Sequence, residues 1–447
     1  MRTEEDKLGS LELPNQALYG LQSERARRNF NLGGRLTNIN LIRAIIKVKK
    51  AAALTYARLE KDGCQREIHK VIALACDDAL CGAYDDMFVV EALQGGAGTS
   101  TNMNVNEVLA NLALKRLSRP LGEYSTVHPL DDVNRGQSTN DVYPTALRIA
   151  SIELLRELSQ ECALLQEALQ SSENRWATIQ KLGRTELMDA VPVTLGEEFG
   201  AWAQAIARDR WRLYKMEERL RQINLGGTAV GLSDNAEKRY RFGVVEKLRE
   251  ITGIGLAAAE YPMDITQNND VFVEVSGLLK SLAVNLLKIS GDLRLMNSGP
   301  GGGLGEIHLA PLQLGSTIMP GKYNPVIPEM VMEVSLKVIA NDLAITMSAA
   351  RGEFELNAFS PLIADCLLES LSLLSRTCQI FKEKCVLTLS PNPERCLELL
   401  ERSLAFATAY GPILGYDRVA NIIERENREP QKVREALEKE LKNIERK

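Results

Sequence analysis

The sequence predicts an all-α fold, with a long central helical bundle between smaller helical domains. Apolar residues recur at helical spacing over five long stretches of roughly 25–30 residues each, about twice the usual helix length. Leucines at residues 278–287 and 367–374 form stripes wider than a two-helix seam needs. No region is rich in strand pattern. Helices that are apolar on more than one face are expected to pack against other copies of the chain.

The elements follow in chain order. Residues 1–35 are predicted to form an irregular arm, because Pro14 and its neighbours favour turns. Helical pattern begins near Asn38, and a second helix is expected over residues 64–83. The predicted N-terminal helical domain, central long-helix bundle and small C-terminal helical domain cover residues 1–140, 141–392 and 393–447.

The composition argues against several classes of protein. A net charge of −5 over 447 residues leaves no basic footprint for nucleic acid. Residues 1–7 are mostly charged and no apolar run follows them, so a signal peptide is not expected. No window reaches about 18 uninterrupted apolar residues, so we expect no contact with a membrane. The eight cysteines lack Cys-x-x-Cys spacing, which predicts reduced thiols and a cytoplasmic location.

Metal and cofactor sites are not indicated either. The only histidines are His69, His128 and His308, too few for a histidine-rich metal site. The cysteines have no zinc-ligand spacing. We therefore expect neither a metal nor a cofactor.

Three polar loops rich in hydroxyl groups each precede a predicted helix, at residues 94–104, 134–141 and 183–192. Backbone N–H groups and the dipole at a helix start favour anions. The first loop is not a P-loop, because no Gly-Lys-Ser/Thr follows its glycines. Simple N-capping by Thr or Asn is the alternative explanation.

A fourth loop, residues 315–325, reads Gly-Ser-Thr-Ile-Met-Pro-Gly-Lys-Tyr-Asn-Pro. Its prolines and glycines prevent a helix. It brings a hydroxyl, an ammonium and an amide close together in sequence. We predict a mobile loop that closes over a substrate, as in many enzymes. The alternative is a glycine-rich turn between helices.

This fourth loop resembles the serine loop of the aspartase/fumarase superfamily, Gly-Ser-Ser-x-Met-Pro-x-Lys-x-Asn-Pro. Thr317 departs, because the family usually has a second Ser there. Residues 95–99, 137–141 and 183–185 also resemble family segments. The resemblance covers nearly the whole chain and is closest to L-aspartate ammonia-lyases. The matching positions of the serine loop are Gly315, Ser316, Met319, Pro320, Lys322, Asn324 and Pro325.

The resemblance implies a homotetramer whose active sites each draw on three chains. It implies β-elimination of ammonia or an amine from L-aspartate or a close analogue, giving fumarate or a related unsaturated acid. The implied route uses a serine base, Ser316, and an aci-carboxylate intermediate, with Lys322 as the stabilising cation. The implied substrate-binding residues are Thr99, Ser138, Thr139, Asn140, Thr185, Glu186, Thr317, Asn324 and Glu329.

Glu186 departs from the family, which usually carries His or Gln after the Arg-Thr of the third loop. That family side chain pairs with a Glu at the position of Glu329 and helps hold the second carboxylate of the substrate. Two carboxylates would repel an anionic substrate end. Either one Glu is protonated or the bound group is not a carboxylate. Alternatively, Glu186 turns away to an Arg and is only structural.

Two other functions remain open on the sequence. One is fumarate hydration, although the fumarases of the family use the His that is missing at Glu186. The other is a non-catalytic structural tetramer that keeps the fold. The intact Ser316, Lys322 and Asn324 argue against this second alternative.

Overall fold

The computed structural model describes residues 1–445, and most of them are helical, as predicted. The helices are α1 Leu21–Asn29, α2 Ile39–Leu59, α3 Gly63–Leu80, α4 Thr99–Arg116, α5 Thr139–Arg175, α6 Leu195–Leu220, α7 Lys238–Thr252, α8 Pro262–Gln267, α9 Asp270–Met296, α10 Val326–Ala349, α11 Ser360–Phe381, α12 Pro393–Glu401, α13 Gly411–Leu414, α14 Tyr416–Arg425 and α15 Pro430–Glu445. The strands are β1 Arg2–Asp6, β2 Gly9–Leu13, β3 Gln180–Thr185, β4 Met188–Thr194, β5 Gln222–Ile223, β6 Ala257–Ala258, β7 Ile307–His308 and β8 Ser390–Pro391. They pair two at a time, so the all-α prediction is confirmed with small β additions.

The long helices are the dominant elements. Their lengths are 37, 26, 27, 24 and 22 residues for α5, α6, α9, α10 and α11. The prediction of similar lengths was wrong for α5, which continues well beyond the others. No helix in the described part of the chain is long and apolar enough to cross a membrane. All eight cysteines are free.

The chain divides into two compact units, each built from three segments. The first unit comprises Met1–Ser159, Trp211–Ser281 and Lys337–Ser375. Within it, α2 packs against α3 and α7, and α4 packs against α1 and α3. Asn38 caps α2 by accepting the N–H of Asn40, and the apolar face of the helix is fully buried.

The irregular N-terminal arm was predicted wrongly. Residues 2–13 form the antiparallel hairpin β1–β2, and α1 follows it. The start of α1 is fixed from a distance by Glu107 of α4. Its buried carboxylate accepts the N–H groups of Gly20, Gln22 and Ser23. Sequence periodicity cannot show this cap, because the acceptor lies far along the chain.

The second unit comprises Gln160–Arg210, Leu282–Leu336 and the described residues from Arg376 onward. The predicted loop at residues 183–192 is instead part of the hairpin β3–β4, which packs against α12. A reciprocal capping box begins α6, because Thr194 N donates to Glu197 and Glu197 N donates to Thr194 Oγ1. The last helices enclose a small separate core of Ala407, Leu414, Val419, Ile422, Val433 and Leu437.

Candidate active site

The serine loop, residues 315–325, lies in the second unit and closes on itself. The side-chain amide of Asn324 donates to Gly315 O at 2.7 Å, which joins the two ends of the loop. Between them the loop is largely exposed, and the side chain of Ile318 is 83% accessible. The Asn324 hydrogen bond and a tight approach of backbone therefore join the ends of this segment, with little apolar packing.

Gly315 permits that tight approach. A Cβ at this position would lie 2.4 Å from Lys322 O and 2.7 Å from Asn324 N. Contacts under 3.0 Å to backbone atoms force the chain to move. Only glycine therefore allows the loop to close in this conformation.

Ser316 lies near the start of the closed loop and is partly buried. Its Oγ accepts two backbone N–H groups, from Ile318 at 3.2 Å and from Met319 at 2.9 Å. Donors aimed at an oxygen stabilise its anionic form more than its neutral form. This arrangement favours ionisation of the hydroxyl, which a serine needs in order to act as a base.

An open cleft of about 720 Å³ lies beside the serine loop within the same unit. Lys322, Asn324 and Glu329 line one part of it, and Arg294 and His308 line another. The Nε of Arg294 lies 3.5 Å from the Glu329 carboxylate. No sequence pattern marks Arg294 or His308 as residues of this cleft. Their proximity depends on α9, β7 and α10, which are separated in sequence.

Thr185 and Glu186 lie at the exposed tip of β3–β4. Glu186 and Leu187 have φ values of 53° and 65°, which form a tight left-handed turn between the strands. Thr185 pairs with Met188 across this turn. In the described structure no hydrogen bond or ion pair engages the Glu186 carboxylate, so the structural alternative of a partner Arg finds no support within one chain.

The base of this hairpin is fixed by a buried ionic cluster. The carboxylate of Glu306 is fully buried. It forms ion pairs with Lys181 Nζ at 2.9 Å and with Arg184 Nη1 at 2.8 Å. Lys181 also contacts Glu198 at 2.8 Å. Breaking such a cluster by removing one partner leaves an uncompensated buried charge. The cluster therefore holds the strand that carries Thr185 while the tip stays free.

The loop at residues 134–141, here called the anchored loop, lies in the first unit. At its C-terminal end the fully buried Asp141 accepts N–H groups from Ser138, Gly226 and Thr228 at 3.0, 3.0 and 2.9 Å. Burial raises the pKa of Asp141 to about 7, although these three donors act in the opposite direction. The carboxyl group therefore fixes the loop backbone against residues 226–228.

At the other end of the anchored loop, Asn134 Oδ1 accepts three side-chain donors. They are Lys49 Nζ at 2.6 Å, Asn102 Nδ2 at 3.1 Å and Asn106 Nδ2 at 3.3 Å. Burial lowers the pKa of Lys49 to about 7. Lys49 and Asn106 were not singled out from the sequence, because nothing local marks a buried lysine or asparagine within a helix as functional.

The predicted binding residues of the first unit differ in availability. Ser138 Oγ accepts the N–H of Asn140 at 3.2 Å, and Thr139 Oγ1 accepts Asn102 Nδ2 at 3.2 Å. Both hydroxyl hydrogens can therefore point elsewhere. Asn140 Nδ2 donates to Ala229 O at 2.8 Å, so one of its two side-chain N–H groups is engaged. Thr99 is exposed at the first turn of α4, which begins several residues earlier than the glycine-rich pattern indicated.

The structure thus brings together the first two predicted loops, through Asn102 and Thr139. It also brings Lys322 and Asn324 of the serine loop and Glu329 of α10 to one cleft. Thr317 and Lys322 are exposed on that loop. The pairing of Glu186 with Glu329 remains a prediction. Glu329 faces Arg294, a compensating charge that no sequence pattern indicated.

Comparison with known proteins identifies the family. Residues 9–340 match a lyase family. An aspartate ammonia-lyase from a Bacillus species is 42% identical over 422 residues, covering 94% of this chain and 90% of that relative. Similarity of this extent reaches the serine loop, the anchored loop and the β3–β4 hairpin together.

Two solved structures share the fold. A fumarate lyase:delta crystallin from Brucella melitensis, crystallised with cobalt, is 44% identical, with a TM-score of 0.92 over 97% of this chain and 95% of that chain. A class II fumarase from Schistosoma mansoni is 30% identical, with a TM-score of 0.90 over 96% of this chain and 92% of that chain.

Proposed function

This chain belongs to the aspartase/fumarase superfamily and is a carbon–nitrogen lyase, and we propose that it releases ammonia from L-aspartate or a close analogue by β-elimination, using Ser316 as the base. The observation that carries the proposal is the pair of N–H groups donated to Ser316 Oγ. The unsaturated product is fumarate or a related acid.

In this reaction the Ser316 alkoxide takes a proton from the carbon next to a substrate carboxylate. The electron pair of the broken C–H bond moves into that carboxylate and forms a doubly charged aci-acid. When the pair returns to form the C=C bond, the C–N bond breaks and the amine leaves with its electrons. Stabilising the extra negative charge is the main task.

Charge stabilisation comes from one cation and from two hydroxyl hydrogens that the protein leaves free. Lys322 is exposed on the serine loop and carries the positive charge that the aci-acid needs. Ser138 and Thr139 each accept one hydrogen bond from the protein, so their hydroxyl hydrogens remain to bind a carboxylate. Asn324 closes the loop in the present conformation, which keeps Lys322 and Ser316 on one short segment.

Glu186 bears on the choice of substrate. Its carboxylate lies at an exposed tip and has no partner in the described chain, so it is available to face a bound ligand. A substrate with a cation or an uncharged group at that end avoids charge repulsion, whereas a plain carboxylate requires a protonated Glu. We therefore propose an aspartate analogue with an amine-bearing or uncharged end as the better substrate.

The exposed parts of the site support assembly from several chains. We propose a homotetramer in the cytoplasm, with Thr99, Ser138, Thr139 and Asn140 of one chain facing Thr185 of a second and Ser316 of a third. Leu336, Leu343 and Met347 recur along α10 and are 56%, 64% and 57% exposed. Such an apolar helix stripe is typical of an obligate interface.

The first experiment measures product formation directly. The protein is mixed with L-aspartate, with malate or with buffer alone, and the ultraviolet absorbance of an unsaturated acid is followed. A screen of aspartate analogues extends the assay, with released ammonia measured in parallel. Absorbance with malate and no ammonia from any amine would instead favour hydration. No product from any compound would favour the structural tetramer.

The second experiment tests sharing of the site. Ser316→Ala chains, nearly inactive alone, and Thr139→Val chains, which bind the substrate weakly, are mixed under conditions that exchange subunits, and activity is measured at a substrate concentration far below the KM of Thr139→Val. Recovery of activity is expected, because some hybrid sites then contain both native residues. Light scattering on the wild type should give a tetramer, and a stable, active monomer would contradict the proposal.

A further inference from the structure

A chain of side-chain hydrogen bonds runs from α2 through α4 to the anchored loop. Lys49 of α2 donates to Asn134, which also accepts Asn102 of α4. Asn102 Nδ2 continues to Thr139 Oγ1 at 3.2 Å. Every hydrogen bond of this series lies within the first unit, and Asn102 is only 2% exposed.

The direction of the last bond is fixed by chemistry. The Nδ2 of an asparagine can only donate, so Thr139 Oγ1 must accept at this contact. The hydroxyl hydrogen of Thr139 is therefore kept away from Asn102. A hydroxyl prevented from donating inward presents its hydrogen to a ligand without first breaking an internal bond.

Asn102 itself is held in this orientation. Asn134 Oδ1 accepts hydrogen bonds from Lys49, Asn106 and Asn102. This oxygen would repel another amide oxygen brought close to it. Rotation of the Asn102 amide by 180° would place two oxygens face to face. Asn134 and Lys49 therefore determine which atom of Asn102 meets Thr139.

We propose that Asn102 is a positioning residue, which orients the Thr139 hydroxyl so that it donates to a carboxylate of the substrate. This role rests on the proposed elimination reaction and adds to it a residue that does not touch the substrate. Fixing one donor before binding lowers the cost of ordering it, and so it strengthens binding of the carboxylate.

The test compares an isosteric substitution, Asn102→Asp, with a truncation, Asn102→Ala. In Asn102→Asp the side chain can only accept, so the Thr139 hydrogen turns inward and its lone pairs face the substrate carboxylate. We expect KM to rise about 10–100-fold, the range for losing a hydrogen bond to a charged group, with a smaller change in kcat. Asn102→Ala frees the hydroxyl without reversing it, so its rise in KM should be smaller.

Asn111→Asp is the matched control. Asn111 is another fully buried asparagine of α4, and its amide donates to Leu18 O at 2.8 Å and to Tyr124 OH at 3.2 Å, away from the anchored loop. It should lower the thermal-unfolding midpoint in the way Asn102→Asp does, but leave KM unchanged. Equal KM values for the two aspartate variants would overturn the positioning role.

A double-mutant cycle with Thr139→Val separates a role through Thr139 from general disorder. In the Thr139→Val background, Asn102→Asp should raise KM no further. The same fold-change in both backgrounds would overturn the proposal, and so would a larger effect of Asn102→Ala than of Asn102→Asp. If the wild type released no amine from any compound, the elimination reaction would fail as well. Wild-type turnover with an unaffected Asn102→Asp KM would overturn only the positioning role.

Discussion

The candidate site residues of the two units are held in opposite ways. In the first unit, the anchored loop is fixed at one end by Asp141 and at the other by Asn134, both through several buried hydrogen bonds. In the second unit, the serine loop and the tip of β3–β4 are exposed, and Glu186 and Lys322 lack partners in the described chain. The anchored loop is fixed before a ligand binds, whereas the serine loop and the hairpin tip have exposed groups that a ligand or another chain could contact.

This difference has a physical reason. Groups that only hold a carboxylate gain from being fixed beforehand, since ordering them at binding costs free energy. A base must reach the substrate after the substrate has entered, and water must then be excluded from the site. We therefore expect the serine loop to move. Variants of the serine loop should therefore act mainly on kcat, and variants of the anchored loop mainly on KM.

The largest effect is expected from Ser316→Ala. Loss of a general base should lower kcat by roughly 10²–10⁴-fold, with the fold intact because the residue lies in a partly exposed loop. Ser403→Ala is the control, because Ser403 Oγ likewise accepts the N–H two residues on, at 3.2 Å, but lies outside the site. Near-normal turnover by Ser316→Ala, measured by ultraviolet absorbance, would assign the base to another residue.

Gly315→Ala tests closure of the loop without removing a reactive group. The added Cβ would collide with the backbone at residues 322–324, so Lys322 would shift relative to Ser316. A displacement of about 1 Å costs roughly 10²-fold in turnover. Gly302→Ala is the control, because no atom lies within 4 Å of its Cβ position. If both variants had the same kcat, the closed conformation would not be the active one.

Glu186 sharpens the comparison through specificity. We expect poor wild-type turnover of L-aspartate at neutral pH relative to an amine-bearing or uncharged analogue. Glu186→Gln should raise the ratio of kcat/KM for aspartate over the best analogue by roughly tenfold, since removing one like charge restores carboxylate binding. Met188→Gln, an exposed change across the same turn, is the control. Efficient wild-type turnover of aspartate that Glu186→Gln does not improve would remove Glu186 from substrate selection.

The smallest effect concerns pH and the anchored loop. Burial raises the pKa of Asp141 from 3.8 to about 7, so its contribution to the free energy of unfolding is full below pH 3.8 and is lost as pH rises towards 7. Lys49, lowered from 10.5 to about 7, has the opposite slope, with stability lost as pH falls from 10.5 towards 7.

Asp141→Asn should therefore reduce the decline in the thermal-unfolding midpoint between pH 4 and 7. The rise in the midpoint above pH 7, which comes from Lys49, should be unchanged. The midpoint is measured by circular dichroism across this range for the wild type and the variant. The same slope in both proteins below pH 7 would show that Asp141 does not carry this dependence.

Local signals predicted much of the molecule. Helical periodicity identified the long helices, because the apolar face of a helix repeats every three to four residues wherever the helix packs. The glycine and proline pattern of residues 315–325 predicted a loop, and the loop is present. The similarity of nearly the whole chain to ammonia-lyases gave the reaction class before any distance was known.

Tertiary structure alone decided what joins distant parts of the chain. The capping of α1 by Glu107, the contact of Arg294 with Glu329, and the Lys49–Asn134–Asn102 network each link residues far apart in sequence. Hydrogen-bond direction and burial depend on which atoms meet, and periodicity carries no information about that. For this reason the sequence by itself determined the helices and the reactive groups, whereas only the folded chain determined which of those groups are fixed and which stay free.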